Sequence, residues 1–301
     1  MTGPAMLVLT PSYRPDHDLC ADLNRSLVRH APSTVRHAVV VPTADLPLFR
    51  ALSGDRTAVL DVRDVLPRQL HKVPRANVWV SHRRPWPPVR GWVAQQVVKL
   101  AAVAVATEDV VLVADSDLTF VRPFTARTYA PGGVVPLYRQ DGAVTAHLPR
   151  HMVWHDTARR LLGLPPDPAP ARPDYVCWPC AWEPSVARRL LARIEAATGL
   201  PWAAAVGREL HVSEMVLYGV FVDEVEARER PVVHTADMRC PAYSDERALD
   251  GDGLAAFLGR LRADDVAVMV SAKSGTSLAL RRRLLAALPT ASGGHAEQRG
   301  L

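Results

Sequence analysis

Short apolar runs alternate with longer amphipathic stretches over the first 125 residues. Ala5 to Leu9, Val35 to Val41 and Thr57 to Leu60 are apolar segments bounded by turn-forming residues, the pattern of buried strands. Asp18 to His30, Ala44 to Leu52 and Trp92 to Ala106 carry apolar residues at helical spacing. Val110 to Ala114 is a further strand. This alternation predicts βαβ units and an α/β fold: a Rossmann-like, mostly parallel mixed sheet flanked by helices. Residues 5–288 read as a single domain with an ordered half, 5–125, and an irregular half, 126–288. Residues 289–301 read as a disordered tail.

The irregular half predicts short strands at Gly133 to Tyr138 and Ala143 to His147. Pro165 to Pro173 excludes a helix or a central strand and reads as a loop. Ser185 to Thr198 and Ser213 to Phe221 predict helices, and Val232-Val233 a strand ending at His234. Leu254 to Leu261, Val266 to Ser271 and Ser277 to Leu288 predict helix, strand and helix.

The strand at Val110 ends in Val113-Ala114-Asp115-Ser116-Asp117. In extended chain, residues i and i+2 face the same side. Both carboxylates are therefore expected in the crevice at the strand's carboxyl end, where open α/β sheets bind ligands. Two close anions repel unless a cation lies between them, and hard oxygen ligands suit Mn²⁺ or Mg²⁺. A capping Asp followed by a turn Asp is the plainer alternative.

Composition narrows the classes. The 301 residues are 48% hydrophobic and 22% charged, ordinary for a globular chain. The 36 Lys and Arg against 31 Asp and Glu give +5, but the only lysines are Lys72, Lys99 and Lys273. So strong an Arg bias, with abundant Ala and Pro, reflects a GC-rich, bacterial type of genome more than a nucleic-acid surface, so no nucleic-acid partner is expected. Four cysteines do not make a disulfide framework. Neither a signal peptide nor a membrane-spanning run is evident, and a cytoplasmic location is the default expectation.

Thr107 to Phe124 (TEDVVLVADSDLTFVRPF), the preceding Gln95-Gln96-x-x-Lys99-Leu100 helix and Ser213-Glu214-x-x-x-Tyr218-Gly219 together resemble glycosyltransferases of the GT-A fold. The pattern is also similar to an uncharacterised bacterial family of presumed glycosyltransferases. The resemblance covers about Met6 to Ser277. It implies a GT-A-like domain with a nucleotide-binding half (5–125) and an acceptor-side half (126–288). It also implies metal-dependent transfer from a nucleotide-diphospho-sugar donor to a glycan or small-molecule acceptor. Under the resemblance, Asp117 is the main Mn²⁺ or Mg²⁺ ligand, Asp115 contacts the ribose and the metal, and His234 completes the metal shell. Thr10, Ser12 and Tyr13 match the position that holds nucleobase and ribose. Asp61 or Asp64 would bond the base or ribose, and Lys99 would approach a phosphate. Glu214 would contact the acceptor hydroxyl, as general base if the enzyme inverts. Plainer readings stand beside these: a strand-end hydrogen bond for His234, a simple turn at Tyr13, a solvated helix face for Lys99, a capping box for Glu214.

Two rival functions remain open at this level. Asp115-x-Asp117-x-Thr119 also matches the first motif of haloacid-dehalogenase phosphatases, with Asp115 as nucleophile and Asp117 as general acid. That motif lies far inside the chain, and Asp264-Asp265 precedes its strand when it should follow one. The other rival is a non-catalytic nucleotide- or glycan-binding protein. Cys177-x-x-Cys180 lacks the context of a redox or zinc site. His147, His151 and His155 share a helical spacing that Pro149 interrupts. His82 to Arg90 reads as a rigid basic loop. Ala272 to Thr276, between a strand and a helix, suits a phosphate but lacks P-loop glycine spacing.

Overall fold

The computed structural model describes residues 3–67, 70–73, 78–81, 84–167 and 171–288; the expected tail at 289–301 lies outside them. Five strands form the central sheet: β1 (Met6–Pro11), β2 (Arg36–Val41), β3 (Thr57–Asp61), β4 (Val110–Val113) and β5 (Cys180–Trp182). Their spatial order is β5-β4-β1-β2-β3. The first four run parallel, and β5 runs antiparallel along β4. The sheet is therefore mixed and mostly parallel, flanked by helices, as its alternating pattern predicts.

Period-2 side-chain alternation sorts each strand onto two layers. Met6, Val8, Val110 and Leu112 join Leu23 and Leu27 of the His17–His30 helix in one core. Leu9, Val111 and Val113 join Val97 and Val103 of the Gly91–Val105 helix in the other. The helices Pro149–Leu162, Pro184–Thr198 and Glu214–Glu224 pack into that second core.

The irregular half supplies small sheets. Leu118–Phe120 pairs with Ala267–Val270, which also holds Ala242–Tyr243. Leu137–Tyr138 pairs with His234–Thr235, and Gln140–Val144 with Arg172–Asp174. Several segments depart from expectation: the strand expected at Ala143 to His147 is Gln140–Val144, and the end of the loop expected at Pro165 to Pro173 joins the strand Arg172–Asp174. Of His82 to Arg90, expected as a loop, His82 and Arg83 lie outside the described residues, and Arg84–Arg90 is a strand paired, among the described residues, only with Val78–Ser81; an edge strand tolerates proline because its outer N–H groups need no partner. Gly133 starts no strand: Pro131–Gly133 is a 3-10 turn with Gly132 in the left-handed region (φ 64°). His234 begins its strand instead of ending one. The Pro149–Leu162 helix starts at the proline, so His147 lies outside it, while His151 and His155 bond Asp174 and the Pro173 carbonyl.

His37 of β2 is buried beneath the sheet's end. Its Nδ1 and Nε2 lie 2.9 Å from Asn24 Oδ1 and 3.0 Å from Thr10 Oγ1, an arrangement that serves a neutral ring. Burial pushes its pKa down from 6.5 to about 3. Below pH 6.5 the unfolded chain binds a proton that the native ring refuses, so stability present above that pH is lost as pH falls toward 3. His37→Gln is expected to flatten the fall of the urea midpoint over this window, by on the order of 4 kcal/mol at its acid end. An unchanged slope would contradict the assignment.

Candidate functional site

The chain runs from β1 outward through β2 and β3, then returns to place β4 on the opposite side of β1. The carboxyl ends of β1 and β4 therefore flank a topological switch point, where ligands bind in open α/β sheets. A hydrogen bond from Ser116 Oγ to Ser12 Oγ (2.9 Å) ties the two strand ends together.

Asp115 continues the β4 face of Val111 and Val113 and so points toward the Gly91–Val105 helix. There its Oδ1 lies 2.8 Å from Nζ of Lys99, in an ion pair. The extended chain stops at Val113, however, and turns at Ser116–Asp117. The i and i+2 side chains thus take different partners, Lys99 and the Ala272 N–H, while remaining close enough for the Asp115 charge to act on Asp117. Asp117 swings toward the other layer, where Oδ2 accepts from the Ala272 N–H at 2.8 Å. It borders a cavity of about 480 Å³ between the His17–His30 and Leu278–Ala286 helices. Burial, then the Asp115 charge, raises the Asp117 carboxyl to about 6. The same two causes raise Asp16, on the loop after β1, to about 6. Three mutually repelling carboxyls thus gather at this end of the sheet.

Lys99 is not a solvated residue. It is 3% exposed, and Nζ donates to Oε1 of Glu214 at 2.8 Å while facing Asp115. Burial alone would lower its pKa, but the Asp115 and Glu214 carboxylates outweigh it and hold the ammonium above its ordinary range. Glu214, expected as a base, is itself 2% exposed and spent on Lys99.

A cavity of about 260 Å³ opens between the ends of β1 and β2 and the start of the Gly91–Val105 helix. Ser12 and Tyr13 line it, as do Trp79, Trp92, Lys72 and Lys273. The Lys273 ammonium lies 5.9 Å from the centre of the Trp92 ring, a cation–π distance. Two of the chain's three lysines, Lys72 and Lys273, thus line this cavity, and the third, Lys99, pairs with Asp115 and Glu214. Lys72, Trp79 and Trp92 were not read from the sequence; the rarity of lysine in an Arg-rich chain was the available signal. Two expected residues do not reach the cavity. Thr10 is fully buried with its hydroxyl on His37. Asp61 caps the Val62–Val65 helix, accepting from the Arg63 N–H and the Thr43 hydroxyl, and pairs with the Arg63 guanidinium. Asp64 is exposed.

The Ser213–Gly219 segment builds the wall on the other side. Ser213 caps the helix by accepting from the Val216 N–H. Tyr218 stacks on Trp182 of β5 at 4.6 Å, and its hydroxyl accepts from the Glu183 N–H. Gly219 lies under the Tyr175 ring, where a Cβ would come within 2.2 Å of Cγ. That close approach lets the Tyr175 hydroxyl donate to Asp223 Oδ2 at 2.6 Å, and Asp223 Oδ1 lies 2.6 Å from Nε2 of His234. His234 thus sits with Asp223 and lines a cavity that includes neither Asp115 nor Asp117 in its wall. Gly219→Ala is expected to cost about 1–3 kcal/mol by overpacking and to release Asp223 from Tyr175. A urea midpoint equal to that of the unaltered chain would show that the ring has room to move.

Among the described residues, no three His, Cys, Asp or Glu side chains gather closely enough to hold a metal ion by themselves. All four cysteines are free and buried, and burial holds the Cys180 thiol well above its ordinary range, so nothing here marks a reactive thiolate. Asp265 bonds Arg262, so it is not the second acidic pair that a phosphatase of the haloacid-dehalogenase type requires.

The fold and the crevice define an α/β protein with a ligand cavity at the switch point of a mixed sheet. The chain belongs to a family of unknown function, DUF6492, whose model matches residues 6–270. Among solved structures it is similar to mouse xyloside xylosyltransferase 1 in its apo form, at 13% identity and a TM-score of 0.45, over 91% of this chain and 99% of that one. No curated protein matches it. Among the described residues, no helix is long and apolar enough to cross a membrane.

Proposed function

We propose that this chain is a glycosyltransferase that takes its sugar from a nucleotide-diphospho-sugar in the crevice between β1 and β4. The observation that carries the reading is the switch point itself: Asp115 and Asp117 follow the end of β4, and an aromatic cavity with two wall lysines opens at the neighbouring end of β1. Tyr13, 44% exposed, and Trp92 offer faces to a nucleobase. Lys72 and Lys273 offer ammonium groups to a diphosphate.

The acidic donors suit a divalent cation. Burial, then the neighbouring Asp115 charge, raises the Asp117 and Asp16 carboxyls, a repulsion that a bound cation would relieve. Two carboxylates with no third protein ligand match a hard cation that completes its shell with substrate phosphates and water. Asp115 and Asp117 would hold Mn²⁺ or Mg²⁺, which would neutralise charge on the departing diphosphate. Lys99 holds Asp115 in place through their ion pair, and Glu214 keeps Lys99 in place. This positioning role replaces the base role expected for Glu214.

Incubation with uridine-, guanosine- and thymidine-diphospho-sugars in manganese buffer tests the reading. Release of nucleoside diphosphate from one of them is expected, by transfer or by slow hydrolysis. Turnover of simple phosphate esters with no sugar nucleotide consumed would favour the phosphatase instead.

A further inference from the structure

A second cavity, also of about 260 Å³, lies against β5. Cys180 forms part of its wall and pairs with Val113, two residues before Asp115, so the cavity adjoins the carboxyl end of β4. Trp182 and Tyr218, stacked on each other, supply apolar lining. Two polar groups are left without protein partners. The Tyr129 side chain lines the cavity and is 8% exposed, and its hydroxyl is buried with no hydrogen bond among the described residues. An orphaned buried hydroxyl costs about 1–3 kcal/mol, a cost that a ligand hydroxyl would remove. His234 is the second. Its Nε2 faces Asp223, itself oriented by Tyr175, which leaves Nδ1 as a hydrogen-bonding group without a protein partner among the described residues. Arg239, on the same wall, is neutralised by Asp237 at 3.2 Å, so these two add no net charge.

We propose that this cavity binds a neutral ring bearing several hydroxyls, a saccharide, through Tyr129, Nδ1 of His234 and the Trp182–Tyr218 wall. Its role as the acceptor pocket rests on the transferase reading; its chemistry does not. Saccharide rings present apolar C–H faces edged with hydroxyls, which matches aromatic lining interrupted by isolated hydrogen-bonding groups.

Saturation-transfer NMR with methyl glycosides of glucose, galactose, mannose and xylose tests the assignment, with nucleoside diphosphate affinity in manganese measured on the same samples. At least one glycoside is expected to bind, at about 1 mM or tighter. Tyr129→Phe or His234→Phe should weaken it by about tenfold, the size of one lost hydrogen bond. His234→Gln should restore part of the loss, and nucleotide affinity should not move in any variant. Glycoside binding without any nucleotide binding would support the cavity while contradicting the transferase reading. No glycoside signal from the unaltered chain, or affinity unchanged in both Phe variants, overturns the proposal.

Discussion

Lys99→Met is expected to destabilise the protein by about 3–5 kcal/mol, the cost of leaving buried charge uncompensated. In a chain of this size that lowers the thermal midpoint by on the order of 10 °C. Methionine fills the space of the lysine stem but leaves Asp115 and Glu214 facing one another without the ammonium that now lies 2.8 Å from each. Adding Glu214→Gln should recover part of the loss, because it removes one of the two stranded charges. Thermal melts of the single and double variants check both statements. A Lys99→Met midpoint equal to that of the unaltered chain would mean that the ion triad contributes nothing.

The second large effect belongs to Asp117. Asp117→Asn keeps an oxygen to accept the Ala272 N–H, so the turn should survive, while the charge available to a cation is lost. Manganese-supported nucleotide affinity is expected to fall by about 100-fold or more, since changes beyond a metal's immediate ligands already cost 10–100-fold. The pH profile should carry a signature of the same carboxyl. Burial and the neighbouring Asp115 raise it to about 6, so below that pH it is increasingly protonated and protons compete with the metal. Affinity should fall as pH drops through 6 in the unaltered chain, and more weakly in Asp117→Asn. A profile identical in both proteins would remove Asp117 from the cation site.

The ordered half of the fold was legible because its elements are set by local periodicity. β1, β2, β3 and β4 and the helices between them follow the 2.0 and 3.6 spacings of their apolar residues. Arg84–Arg90 escaped because its prolines argue against strand, and only an edge position reconciles them. The site was legible in its residue types more than in its pairings. Lys99 and Glu214 stand 115 residues apart in sequence, so no local pattern could join them. Gly219 could be understood only once Tyr175 lay over it, a contact between elements that only the folded chain shows. The different partners of Asp115 and Asp117 follow from the strand's end at Val113 and the turn at Ser116–Asp117, which an apolar run ending in acids does not reveal.

The central claim is a divalent cation shared between the Asp115/Asp117 pair and a pyrophosphate. Isothermal titration of the protein with uridine, guanosine and thymidine diphosphates, with and without Mn²⁺, addresses it most directly. One nucleotide should bind only with the metal present, and that binding should vanish when both aspartates are alanine. Binding that ignores both the metal and the double substitution, or no binding of any of the three, would contradict the account.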